Sequence, residues 1–115
     1  MSYLLLIVEP AGQRQERGRE AGEAVFQEMQ DFAAELQARG VLQGVNSLAS
    51  AGTRLQLRAG KRRVVDGPFA EAKELVGGYF LVDVATRDEA LAIAAECPAA
   101  TWATVEVREV GPCFL

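Results

Sequence analysis

Asp66, Glu71, Lys73 and Tyr79 are the side chains whose types and spacing could do chemistry. All four fall in one stretch, Val64-Val65-Asp66-Gly67-Pro68-Phe69-Ala70-Glu71-Ala72-Lys73-Glu74-Leu75-Val76-Gly77-Gly78-Tyr79. At the mouth of a cavity, Asp66 would act as general acid or base on a small organic molecule. Lys73, Glu71 and Tyr79 would orient that molecule or hold an anionic part of it, and Phe69 completes the set of candidate ligand contacts. The same spacing has a structural reading. An Asx turn at Asp66 needs the amide two residues on, which Pro68 lacks, so the nearest local donor is Phe69. Asp66 can then cap a helical turn over residues 69–74 that ends at Gly77-Gly78, a cap worth about 1 kcal/mol. A carboxylate beside a lysine is commonplace on protein surfaces, so the two readings stand side by side. Gly77-Gly78 is not a phosphate loop, because neither G-x-x-x-x-G-K-[ST] nor G-x-G-x-x-G occurs.

The chain contains no histidine. That removes the commonest general base, Ser-His and Cys-His nucleophiles, and the commonest zinc ligand, so any chemistry is expected to run without a metal or cofactor. Cys97 and Cys113 have no C-x-x-C spacing and read as buried or incidental thiols rather than a redox pair.

The elements that must position these groups follow from periodicity. Tyr3-Leu4-Leu5-Leu6-Ile7-Val8 is a short run, apolar at odd and even positions, that stops at Glu9-Pro10, as a strand covered on both faces would. Residues 11–18 are polar with two glycines and read as a surface loop. Val25, Met29, Phe32 and Leu36 recur at helical spacing over residues 19–39, and Gly40 supplies the stop. Residues 41–48 and 54–58 read as a bent strand or hairpin joined by the turn at 49–52, with 63–65 continuing the pairing after Gly60. Lys61-Arg62-Arg63 is expected at a solvated hairpin tip, with an anion or partner contact as its alternative. Tyr79 to Val84 is a second doubly apolar strand. Thr86-Arg87-Asp88-Glu89 forms a capping box for a helix that ends near Cys97-Pro98, and residues 104–110 alternate as an edge strand does.

This order predicts an α+β domain over residues 1–115. It is a ferredoxin-like βαββαβ sandwich with an antiparallel sheet, two helices on one face and an extra hairpin near residues 53–66. Two helices leave the other sheet face bare, and apolar patches that large are rare on monomers, so a homodimer packed through the sheet faces is expected. With 50% apolar residues, 24% charged and a net charge of −4, the chain can build a core but offers no field for nucleic acid. Its longest apolar run, Leu4 to Val8, is far short of a membrane span, and a cytoplasmic location is expected.

The run Asp66-Gly67-Pro68-Phe69-Ala70-Glu71, with Lys73-Glu74 and then Gly77-Gly78-Tyr79-Phe80-Leu81-Val82-Asp83, resembles the DGPF branch of the YCII-related protein family. Tyr3 to Ile7 and Val105-Glu106-Val107-Arg108 are compatible flanking pattern. The resemblance implies a small ferredoxin-like domain that dimerises as an α/β barrel, with a biochemical role mostly unassigned. It also implies a link to sigma-factor regulation, since such domains occur beside or fused to extracytoplasmic-function sigma factors. Some YCII-related proteins are thought to use a His-Asp pair, and a few act on chlorinated aromatic rings, but this chain has no histidine to supply. Trp102-Ala103 stands where the branch often carries His-Gly, and Trp102 reads as a core or interface side chain, or else as a stacking platform for a ligand. The leading expectation is a homodimer that binds a small molecule or serves a regulatory role. The alternatives are a metal-free enzyme using Asp66 and a protein-interaction module presenting the strand at 105–110.

Overall fold

The structure is a computed structural model describing Met1–Leu115. Strand β1 (Ser2–Pro10) is followed by helices α1 (Gln13–Arg17) and α2 (Arg19–Ala38), then by β2 (Leu42–Ser47), β3 (Thr53–Arg58), β4 (Lys61–Asp66) and β5 (Glu74–Asp83). Helix α3 (Arg87–Glu96), a 3₁₀ turn at Pro98–Thr101 and β6 (Thr104–Glu109) complete the chain. The main sheet is antiparallel with order β2-β5-β1-β6, so the two doubly apolar runs lie in the centre and β6 at an edge, consistent with a ferredoxin-like fold.

One face of this sheet carries the core. Tyr3, Leu5 and Ile7 of β1 and Phe80 and Val82 of β5 are buried against Phe32 and Leu36 of α2 and Ala90, Ile93 and Ala94 of α3. Phe32 meets Phe80 edge to face at 5.3 Å between centroids. The small residues of α3 bring its backbone close to the strands. Leu4, Leu6 and Val8 alternate with the buried set on the opposite, helix-free face, where Leu4 pairs across the strand with Leu81 and Leu6 with Tyr79. In the single chain, then, these strands are fully covered on one face only.

Helix α2 closes with a Schellman arrangement: the Gly40 amide, at φ +74°, donates to Gln37 and the Val41 amide to Leu36. The capping box at α3 forms as its sequence predicts. The Glu89 amide donates to Thr86 Oγ1 at 3.2 Å, and the Ala85 amide donates to the Glu89 carboxylate at 2.9 Å. Thr86→Ala is expected to lower stability by about 1 kcal/mol, read as a shift in the urea midpoint at unchanged slope.

Three sequence expectations need correction. Residues 13–17 are helical rather than loop: Gly12 and Gly18, both at positive φ, bracket a single polar turn with too few apolar residues to show a period. Strands β2 and β3 do not pair with each other. β2 joins β5 in the main sheet, whereas β3 pairs only with β4, through a turn at Ala59-Gly60. The helical turn over residues 69–74 is reduced to one hydrogen-bonded turn, in which the Ala72 amide donates to the Phe69 carbonyl at 3.0 Å, and Asp66 does not cap it. Asp66 ends β4, and the Gly67 amide continues that ladder by donating to Gly52, so the carboxylate cannot turn towards Phe69; Gly77-Gly78 lie inside β5.

The β3–β4 arm is exposed along its whole length, Lys61-Arg62-Arg63 included. The chain measures 47 × 41 × 18 Å with a radius of gyration of 16.0 Å, against about 13 Å for a compact domain of this length. Cys97 is buried, which pushes its thiol up from the ordinary value despite hydrogen bonds from the backbone of Ala99 and Ala100; Cys113 is exposed and neither is bridged. No helix is long and apolar enough to cross a membrane.

Candidate functional site

Strand β1 turns Tyr3, Leu5 and Ile7 inward, and the same two-residue period carries Glu9 inward as well, where it is 3% exposed. A buried carboxylate needs a cation and donors. Arg14 of α1 supplies them, with Nε 2.6 Å from Glu9 Oε1. The oxygen lies off the N–H direction, so the contact is an ion pair rather than an aligned hydrogen bond. The same guanidinium donates to the carbonyls of Leu48 at 2.8 Å and Gly77 at 3.2 Å. One arginine therefore ties α1 to β1, to β5 and to the end of β2. Gly77 makes this possible: a Cβ there would fall on the Glu9 carboxylate and 2.7 Å from Arg14 Nη2.

Next to this pair the space between α1, α2 and the sheet opens into a cavity of about 710 Å³. Val25, Phe26 and Met29 of α2 give it an apolar wall, and Arg17 and Trp102 stand together on its polar side. The Arg17 guanidinium carbon lies 4.6 Å from the centre of the Trp102 ring. Arg17 donates to the Gln13 side-chain oxygen at 3.1 Å, and the Gln13 amide donates in turn to the Trp102 carbonyl at 2.6 Å. Trp102 Nε1 is shielded from solvent and has no hydrogen-bond partner. The space is of the size and mixed polarity in which small organic ligands bind. No group of three His, Cys, Asp or Glu side chains converges to hold a metal ion.

Of the residues singled out from the sequence, Tyr79 borders this cavity. Its hydroxyl accepts from the Asn46 side chain at 2.7 Å, and its pairing with Leu6 and Asn46 sets its ring on the face opposite Phe80. Phe69 lies elsewhere, in a shallower hollow of about 620 Å³ with Val8, Leu48 and Val76. Arg54 covers its ring at 3.6 Å and pairs with Glu71 at 3.1 Å. Asp66 is exposed and accepts from the Thr53 hydroxyl at 2.7 Å. The Lys73 side chain is exposed, while its carbonyl accepts from the Ala11 amide. Neither hollow is lined by Asp66, Glu71 or Lys73. Glu9, Arg14 and Arg17 went unnoticed in the sequence. Glu9 had a usable signal, since it continues the inward period of Tyr3, Leu5 and Ile7 with a charge.

The model of the YCII-related domain matches residues 1–113. The chain belongs to that family. An uncharacterized protein of Rhizobium meliloti (strain 1021) is 44% identical over 61 residues, which is 51% of this chain and 49% of the relative. The match thus spans about half the length of that protein. In this YCII-related domain the Asp-Gly-Pro-Phe run ends the projecting arm, whereas the cavity is built from the first strand, the first two helices and the turn before the last strand.

Proposed function

We propose that this YCII-related domain binds a small organic molecule in the cavity walled by Arg17, Trp102 and the apolar face of α2, and that it does so as a homodimer. The Asp66-Gly67-Pro68-Phe69 run supports assigning it to the DGPF branch. The observation that carries the binding reading is a cavity of about 710 Å³ with an apolar wall along α2 and, among its lining residues, an arginine, Arg17, without a carboxylate partner.

The experiment is a thermal-shift screen of small metabolites on the wild type, Gly22→Phe and Asp66→Asn. Gly22 lines the cavity on α2, and nothing lies within 4 Å of a Cβ built there, so a phenylalanine can fill the space without a backbone clash. Ligand shifts seen in the wild type are expected to vanish in Gly22→Phe and to survive in Asp66→Asn, whose side chain is exposed. Shifts lost in Asp66→Asn but kept in Gly22→Phe would move the site to the arm and favour acid–base chemistry at Asp66.

The homodimer rests on surface area. The chain exposes 7962 Å², whereas a monomeric protein of 12.4 kDa is expected to expose about 6,100 Å². The excess of roughly 1,800 Å² per chain is in the range that obligate homodimers bury. It coincides with the helix-free sheet face and with exposed Leu55, Leu57, Val64 and Val65 on the arm.

A further inference from the structure

Every charged side chain facing the cavity has its counter-charge within the chain except one. Arg14 is matched by buried Glu9, and Arg19 by Glu23 at 2.9 Å on the outer surface of α2. Arg17, partly buried, has no carboxylate within ion-pair distance and spends one of its five N–H donors on Gln13. Its guanidinium carbon lies 4.6 Å from the centre of the Trp102 ring. Arg17 thus brings to the cavity one positive charge without a counter-charge, together with N–H donors that no protein group accepts.

Their complement is an acceptor with one negative charge. A phosphate, near −2 at neutral pH, is poorly served by a single free arginine, and the helix that bears it is only five residues long. A carboxylate matches: it is a monoanion, planar, and its two oxygens fit a guanidinium edge. The protein as a whole carries −4, so its net field repels anions and the attraction has to be local, within the ~8 Å over which charges act at physiological salt. On the other side, Val25, Phe26 and Met29 offer a surface that only an apolar body would cover, and Phe26 is half exposed without one. The geometry points to a small organic monocarboxylate as the occupant, its carboxylate on Arg17 and its apolar part along α2. This deepens the binding role proposed above and rests on it.

Calorimetric titration of the full chain with 4-phenylbutyrate and indole-3-acetate, each against its neutral primary amide, tests the assignment. The acids are expected to bind at least about tenfold more tightly than the amides, with the gap shrinking as salt is raised. Arg17→Gln should close the gap and lower the melting temperature by no more than a few degrees, because Arg17 holds no ion pair and only its stacking on Trp102 and its hydrogen bond to Gln13 are lost. Acid and amide binding equally to the wild type would overturn the ligand class while leaving a binding site. A gap that survives Arg17→Gln would overturn the role of Arg17. If neither acid nor amide binds, the carboxylate assignment fails, and if the metabolite screen is also blank the binding role fails with it.

Discussion

Arg14→Met is expected to lower the melting temperature by about 10 °C. The substitution keeps an unbranched side chain of similar length, so packing changes little, but the Glu9 carboxylate is left without its cation at 3% exposure, and the carbonyls of Leu48 and Gly77 lose a donor. Removing one partner of a buried pair costs about 3–5 kcal/mol. The lower figure applies because the Arg14 side chain is itself 31% exposed, which lets water recover part of the loss. About 3 kcal/mol in a domain of this size corresponds to roughly 10 °C. Glu9→Leu combined with Arg14→Met should recover most of the deficit, since an apolar pair carries no stranded charge. The measurement is thermal denaturation by circular dichroism at low and high salt. A drop in the single variant below 2 °C would mean that water reaches Glu9 freely and that the ion pair does not anchor α1 to the sheet.

Leu6→Glu is expected to convert the proposed homodimer, about 25 kDa as twice 12.4 kDa, into a folded monomer. Leu6 stands on the helix-free face between Leu4 and Val8, paired across the sheet with Tyr79 and Glu106. In a two-fold interface the substitution occurs twice, and burying an unpaired carboxylate each time costs about 3 kcal/mol or more. Roughly 6 kcal/mol weakens association by more than about ten-thousandfold, enough to empty a micromolar dimer. Within a single chain Leu6 is partly exposed, so a glutamate there keeps contact with water and should cost less than it does in a closed interface. Sedimentation velocity at about 10 μM decides it. A wild type sedimenting at 12 kDa would end the dimer reading, and a variant that stays dimeric would move the interface off this sheet face.

Much of the fold was legible because its signals are local and redundant. The central strands announced themselves by apolar residues at both parities, α2 by Val25, Met29, Phe32 and Leu36, and α3 by Thr86 and Glu89. The site was legible only in part, since it is made by contacts that no local pattern encodes. Asp66 drew attention because Pro68 restricts its hydrogen bonding, yet its partner is Thr53, thirteen residues away across a ladder. Arg14 looked like one polar residue among several in a loop. Its importance comes from Glu9 and from the space left by the missing side chain at Gly77, which meet only when β1 and β5 are paired. Trp102 was visible as an aromatic, but the orphaned state of its indole nitrogen is a property of the folded environment alone.

The central place of β1 also has a consequence in time. Leu5 is registered against Phe80 on one side and Val107 on the other, so β1 leaves the ribosome ahead of both its partners and must wait for them. At about 5–20 residues per second, Phe80 follows Leu5 by on the order of 4–15 s, far longer than a helix takes to form. Throughout that interval Leu4-Leu5-Leu6-Ile7-Val8 is an unpaired apolar strand with both edges open. The nascent chain is thus most prone to misassociate in this strand, and the helices α1 and α2, which can form early, lie next to it in sequence and can shelter it.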